Sequence, residues 1–240
     1  MRNLLAAAVL FVAVIQLSAK DLSLKSPDGT LSAVLNTTDR VSLEIFREGN
    51  PLFSVGDIFL KTADGSIPAE GSRPVSVKRI QVDNIIEPLV KENRARIADK
   101  YNEAEFSFSD KTKIIVRLYD DGVAYRIVSD RDGELVIYDE PVRFNFNPAS
   151  SFISQQIGYN SYEAPYIETT VAEVVEGVTC NLPALVKLPS GENVVFLESD
   201  TESYPVMWLR KEGEGFSTHF WKYPRTYNTE GDYYDRMGVT

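Results

Sequence analysis

The residues of this sequence best suited to chemistry are carboxylates that follow a short apolar run late in the chain. Residues 194–197 read Val-Val-Phe-Leu, which is typical of a short buried strand, and Glu198 comes directly after it. A carboxylate held at a strand end suits a hard cation such as calcium, which binds several oxygen ligands. Asp200 and Glu202 follow at alternate positions, but such charges repel one another, so we expect solvated loop residues there. Because one glutamate cannot form a calcium site, Glu198 taken alone is most simply a surface carboxylate.

A second candidate set surrounds His219, the only histidine, which precedes Phe220 and Trp221. The sequence has no Gly-x-Ser-x-Gly elbow and no second histidine, so neither a hydrolase triad nor a transition-metal site is indicated. The aromatic residues crowded into this part of the chain are Trp208, Phe216, Phe220, Trp221, Tyr223, Tyr227, Tyr233 and Tyr234. Flat aromatic faces suit the C–H groups of sugars, although we expect most of these rings to lie in the core.

Alternation of apolar and polar residues predicts that β-strands position these groups. Residues 41–45 alternate with a period of two, as a half-solvated antiparallel strand requires. The apolar positions of residues 75–82 slip by one, which predicts a bulge near Lys78. Asp-Gly pairs such as residues 121–122 predict hairpin turns, and residues 167–176 are the nearest candidate for a helix. We therefore predict an all-β fold of two packed antiparallel sheets.

The start of the chain has the layout of a secretory signal peptide. Arg2 is followed by an apolar stretch over residues 4–17, interrupted only by Gln16, and by the small residues Ser18 and Ala19. We therefore expect residues 1–19 to be removed on export to the periplasm or the medium. Residues 20–240 are then long enough for one large β-domain.

Composition narrows the classes of partner. The formal net charge is −10, which argues against nucleic acids and anionic membranes as partners and suits a neutral substrate or a cation. Cys180 is the only cysteine, so no intrachain disulfide is possible. Its neighbours Val178 and Leu182 are apolar, which predicts a buried and unreactive thiol.

Five segments are more informative together than any of them alone. They are Ser26-Pro27-Asp28-Gly29, Asn102-Glu103-Ala104-Glu105-Phe106, residues 119–126 (Tyr-Asp-Asp-Gly-Val-Ala-Tyr-Arg), Tyr162-Glu163-Ala164-Pro165-Tyr166, and residues 198–209 (Glu-x-Asp-x-x-x-Tyr-Pro-x-Met-x-Leu). In this order they resemble the N-terminal β-domain of family 97 glycoside hydrolases. The resemblance implies a galactose-mutarotase-like antiparallel β-supersandwich, a choice among sandwiches that alternation alone cannot make.

The resemblance also implies a function for the complete enzyme. Family members are calcium-dependent α-glucosidases or α-galactosidases, which act on an α-linked oligosaccharide or a galactoside. The counterpart of Glu198 supplies one Ca²⁺ ligand, and the other ligands and both catalytic carboxylates lie on a (β/α)8 barrel. There the calcium positions the substrate and helps to polarise the glycosidic bond. Thr218–Pro224 is similar to a family segment close to the substrate, which makes His219, Phe220 and Trp221 the predicted substrate-binding residues.

The expected catalytic barrel is not found among the 240 residues. We therefore expect this chain to be a fragment or a truncated product that contains no catalytic residue, is inactive alone and braces its own barrel domain. The sequence does not decide between a retaining and an inverting mechanism. Two other interpretations stay open: a stand-alone secreted carbohydrate-binding β-sandwich, and a structural interaction module without a ligand.

Overall fold

The computed structural model describes residues 22–90, 94–157, 163–199, 201, 204–221, 223–224 and 237–238. Within them all strand pairs are antiparallel. The strands are β1 (Ser23–Lys25), β2 (Leu31–Asn36), β3 (Ser42–Arg47), β4 (Asn50–Gly56), β5 (Leu60–Thr62), β6 (Gly65–Ile67), β7 (Ser76–Ile86), β8 (Ile97–Ser107), β9 (Thr112–Leu118), β10 (Val123–Ser129), β11 (Ile137–Asp139), β12 (Arg143–Asn145), β13 (Ser151–Ser154), β14 (Gln156–Ile157), β15 (Ile167–Thr170), β16 (Thr179–Cys180), β17 (Ala184–Lys187), β18 (Asn193–Phe196), β19 (Met207–Glu212), β20 (Gly215–Phe220), β21 (Tyr223–Pro224) and β22 (Met237–Gly238).

One large sheet forms a layer of the molecule, with nine strands in the order β1-β2-β3-β4-β12-β20-β19-β16-β14. Two four-stranded sheets, β10-β9-β8-β7 and β15-β13-β17-β18, contribute the other side of a shared core. A three-stranded sheet, β11-β5-β6, and the pair β21-β22 complete the described strands.

Alternation places one face of each sheet in the core. Leu43 and Ile45 of β3 are buried while Glu44 between them is exposed. Phe152 of β13 stacks on Phe216 of β20 with 4.4 Å between ring centroids, which joins a four-stranded sheet to the large one. The predicted all-β antiparallel sandwich is therefore confirmed.

The long β7–β8 hairpin contradicts the predicted bulge near Lys78. Its register is unbroken from the Ser76–Ser107 pair to the Ile86–Ile97 pair. The change of alternation in the apolar positions has another cause. Val77 lies opposite Phe106 of the core, whereas Val82 lies opposite Tyr101 on the other face of the hairpin. Within β8, only residues 102–107 pair with β9. Residues 82–86 and 97–101 therefore continue beyond the four-stranded sheet as a two-stranded extension, which we call the ribbon.

Three further predictions concern a helix, a hairpin turn and the cysteine; the first is wrong and the other two are confirmed. Residues 167–170 form β15 and turns follow, so the helix candidate is wrong, and the described residues contain no α-helix. The Tyr119 N–H donates to the Gly122 carbonyl at 2.8 Å, which confirms the predicted hairpin turn. Cys180 is fully buried, and burial raises the pKa of its thiol to about 11, as expected of an unreactive cysteine.

The predicted signal peptide, residues 1–19, lies outside the described residues. In the part of the chain that the structure describes, no helix has the length and apolar character needed to span a membrane.

Candidate functional site

Glu198 lies two residues beyond the end of β18, in the segment that precedes β19. Its two carboxylate oxygens both accept from the Met207 backbone N–H, at 3.1 Å for Oε1 and 2.9 Å for Oε2. Because Met207 is the first residue of β19, this contact ties the carboxylate to the end of a paired strand. The structure thus places Glu198 where the sequence predicted it, and its role as a metal ligand stays a prediction.

Glu140 is a second partly buried carboxylate in this region. The Tyr204 hydroxyl donates to Glu140 Oε2 at 2.7 Å, and the Tyr204 ring meets Phe220 edge-on with 5.8 Å between centroids. Burial raises the pKa of Glu140, the Tyr204 hydrogen bond opposes that rise, and the charges of Asp139 and Glu198 add to it. Glu198 is therefore near enough for its charge to add slightly to the rise in the pKa of Glu140.

The chemistry of this pair suits a hard cation but is incomplete. Burial raises the pKa of Glu198, although the Met207 N–H stabilises its charged form. Two partly buried carboxylates offer the kind of oxygen atom that calcium prefers, yet calcium takes six to eight oxygen ligands. The described residues contain no group of three or more acidic, histidine or cysteine side chains placed to hold a metal. Asp200 and Glu202 lie outside the described residues.

The three predicted substrate-binding residues do not share one surface. In the β19–β20 pair, Met207 lies opposite Phe220 and Trp208 lies opposite His219. Successive residues of a strand point to opposite faces, so Phe220 lies on the face that carries Tyr204, and His219 lies on the other. Contact with sugar by any of the three stays a prediction.

His219 and Trp221, in contrast, are in contact. Their rings meet edge-on with 4.8 Å between centroids, and Trp221 meets Trp208 in the same way at 5.9 Å. Arg210 Nη2 lies 3.4 Å from His219 Nε2, and since arginine only donates, the proton of the neutral ring is assigned to Nδ1. Burial, followed by the Arg210 charge, lowers the pKa of His219 to about 4. His219 is therefore neutral at physiological pH.

A polar groove of about 410 Å³ opens beside His219. Ser217 and Arg210, which line it, form a cross-strand pair of β20 and β19, and Arg143 of β12 pairs with Ser217 from the other side. The groove therefore lies on the outer, polar face of the large sheet, opposite the core.

Sequence reasoning missed Glu140, the partner of Tyr204, and Arg210, the partner of His219. Glu140 and Tyr204 are 64 residues apart, so no local pattern could pair them. Arg210 was within reach of prediction, because the hairpin between β19 and β20 brings it next to His219.

Residues 24–231 match the sequence model of the glycosyl-hydrolase 97 N-terminal family. The chain is 25% identical over 201 residues to a retaining α-galactosidase of Bacteroides thetaiotaomicron. The aligned region covers 79% of this chain and 30% of that enzyme.

Two solved structures share the fold. A glycoside hydrolase family 97 enzyme from Pseudoalteromonas sp. strain K8, in complex with acarbose, superposes with a TM-score of 0.74 at 18% identity, covering 83% of this chain and 32% of that one. A β-arabinopyranosidase superposes with a TM-score of 0.73 at 16% identity, covering 84% and 35%. The chain thus spans about a third of the length of the relatives it matches.

Proposed function

This chain belongs to the glycosyl-hydrolase 97 N-terminal family, and we propose that it acts as the N-terminal domain of an exported, calcium-dependent, exo-acting α-glycosidase. The proposed substrate is an α-glucoside or an α-galactoside, and the proposed partner is a catalytic (β/α)8 barrel. The name of the Bacteroides relative, a retaining α-galactosidase, supports this class of reaction. The chain covers 30% of that relative, which is the fraction expected if it corresponds to one accessory domain of a larger enzyme.

The observation that carries the proposal is the way Glu198 is held. One backbone N–H fixes both carboxylate oxygens at the end of a strand and leaves lone pairs on each oxygen for a cation. Glu198 would therefore supply one calcium ligand, and the barrel would supply the others. When bound, the calcium would orient the sugar and polarise the glycosidic bond. Glu140, held by Tyr204, adds negative potential without needing to touch the ion.

Exposed apolar side chains beside Glu198 support a docked barrel. Val195 and Leu197, which precede it, are 54% and 69% exposed, and Val206, next to Met207, is 43% exposed. Apolar side chains grouped around a polar site are typical of an interface with another domain. This surface would place the calcium ligand at the boundary between the two domains.

Expression of the complete open reading frame that contains these residues tests the proposal. We expect it to release p-nitrophenol from p-nitrophenyl α-glucoside or α-galactoside in calcium and to lose activity in EGTA. Glu198→Gln should raise the calcium concentration for half-maximal activity by about tenfold or more, because a charged ligand is lost. Glu134→Gln, which alters an exposed glutamate, is the matched control. Hydrolysis that does not depend on calcium, or a Glu198→Gln enzyme with unchanged calcium dependence, would contradict the proposal that Glu198 is a calcium ligand.

A further inference from the structure

The polar groove on the outer face of the large sheet has a balanced set of charges. Its charged lining residues are Arg40, Arg143, Arg210, Asp57, Asp139 and Glu212. The three guanidinium groups and three carboxylates cancel, and His219 adds no charge at neutral pH. A free anion would meet three carboxylates and a free cation would meet three guanidinium groups, so neither is favoured as a ligand.

Two of the arginines already have acidic partners. Arg40 pairs with Glu70 at 2.9 Å, and Arg143 approaches Glu212 at 3.8 Å and donates to the Glu212 backbone carbonyl at 3.3 Å. The charges of these two guanidinium groups are therefore already balanced by neighbouring carboxylates.

Arg210 differs from them. Among the described residues no carboxylate lies within 4.0 Å of its guanidinium, and its one hydrogen-bond partner is the neutral His219 ring at 3.4 Å. Its Nε–H is enclosed and has no acceptor, so any donor that Arg210 offers to the groove is an Nη–H. A guanidinium that lines a groove with so few acceptors gains from any ligand oxygen that enters.

The same groove contains two carboxylates, those of Asp57 and Asp139, that form no ion pair with a described lysine or arginine. Within the described chain no lysine or arginine nitrogen lies within 4.0 Å of the Asp57 or Asp139 carboxylate, although Asp139 Oδ1 accepts from the Glu140 N–H at 3.0 Å. Asp57 has a φ of 53°, a left-handed conformation that aspartate adopts more readily than most residues other than glycine.

We propose that this groove binds a neutral sugar unit, with Arg210 donating to hydroxyl oxygens and with Asp57 and Asp139 accepting from hydroxyl groups. A sugar hydroxyl both donates and accepts, so it is the ligand group that uses unpaired donors and acceptors together. The volume of about 410 Å³ is within the range of small-molecule sites. The inference deepens the proposed function, from which it takes the class of ligand, but it requires neither calcium nor a barrel.

Calorimetric titration of the purified chain with panose, maltotriose and melibiose tests the proposal. We expect binding with a dissociation constant of about 1 mM, weakened about tenfold or more by Arg210→Gln. Asp57→Asn should weaken binding as well, and it keeps the fold because asparagine tolerates a left-handed conformation. Arg96→Gln, at an arginine whose side chain is 65% exposed on the β7–β8 hairpin, is the matched control and should bind as the parent chain does.

Glu198→Gln should also leave sugar binding unchanged, which separates this groove from the calcium-ligand proposal. A folded chain, with an unchanged circular dichroism spectrum, that binds none of these sugars at about 10 mM would overturn the groove site. Binding that survives both Arg210→Gln and Asp57→Asn would place the sugar elsewhere. Tighter binding of glucuronate than of the neutral sugars would overturn the assigned ligand class. None of these outcomes depends on whether the complete reading frame hydrolyses glycosides.

Discussion

Replacing Tyr204 with phenylalanine isolates one hydrogen bond, in the segment that precedes β19. The variant lacks the hydroxyl that donates to Glu140 at 2.7 Å but keeps the ring against Phe220. A hydrogen bond to a charged group contributes about 1.5–3 kcal/mol, and the partial exposure of Glu140 favours the lower end. We therefore expect Tyr204→Phe to lower the free energy of unfolding by about 1.5 kcal/mol at neutral pH.

The same variant should have a characteristic pH dependence. Burial raises the pKa of Glu140 in the folded state. The contribution of Glu140 to stability is therefore fully present below the pKa that it has in the unfolded chain, and it is lost as the pH rises through the pKa that it has in the folded protein. The Tyr204 hydroxyl limits that loss by stabilising the charged form. The deficit of Tyr204→Phe should therefore be largest at neutral pH and should shrink toward about pH 4, where Glu140 is protonated in both proteins.

Urea unfolding followed by tryptophan fluorescence measures both effects. In a Glu140→Gln background the Tyr204→Phe change should cost about 1 kcal/mol less, because no charge is left to stabilise. Tyr138→Phe, at a tyrosine that is 51% exposed, is the control and should unfold within about 0.5 kcal/mol of the parent. A Tyr204→Phe protein as stable as this control, or a deficit that is equal at both pH values, would refute the reasoning.

Three further predictions concern the core and the polar face. Phe152→Ala removes a fully buried ring that stacks on Phe216 and should cost about 3–5 kcal/mol in urea unfolding. The pKa of His219 is lowered to about 4, so its ring signals should not shift between about pH 6 and 8 in an NMR titration, and stability should fall as pH drops below about 6.5. Gly215→Ala would place a Cβ 2.9 Å from Asn145 Oδ1 and closer still to a backbone carbonyl, so we expect a loss of about 1–3 kcal/mol and a lower melting temperature.

Local patterns in the sequence predicted the class of fold and the strand-end position of Glu198. Alternation is a property of neighbouring residues, so it identified β3 without any knowledge of its partners. The apolar run before Glu198 predicts a buried strand, and this prediction is only partly right. β18 is an edge strand in which Phe196 is buried while Val195 is 54% exposed.

Features that depend on distant residues could not be predicted in this way. The shift in the apolar positions of residues 75–82 predicts a bulge, because the sequence does not show that β7 leaves the core halfway along its length. The hydrogen bond between Tyr204 and Glu140 depends on how two segments that are distant in sequence pack together. In contrast, the opposite directions of His219 and Phe220 follow from alternation along β20 and were predictable.

The ribbon formed by residues 82–86 and 97–101 divides one hairpin into two regions of unequal local stability. Where β8 lies between β7 and β9, its amide protons exchange with solvent only when the four-stranded sheet opens. In the ribbon each strand has a single described partner, and a two-stranded hairpin is marginally stable in water. Amide exchange should therefore quicken progressively from Gln81 toward Ile86, by fraying from the tip rather than by global unfolding. A protease should likewise cut the ribbon before it cuts the sheet, leaving the core and the segment that contains Glu198 in place.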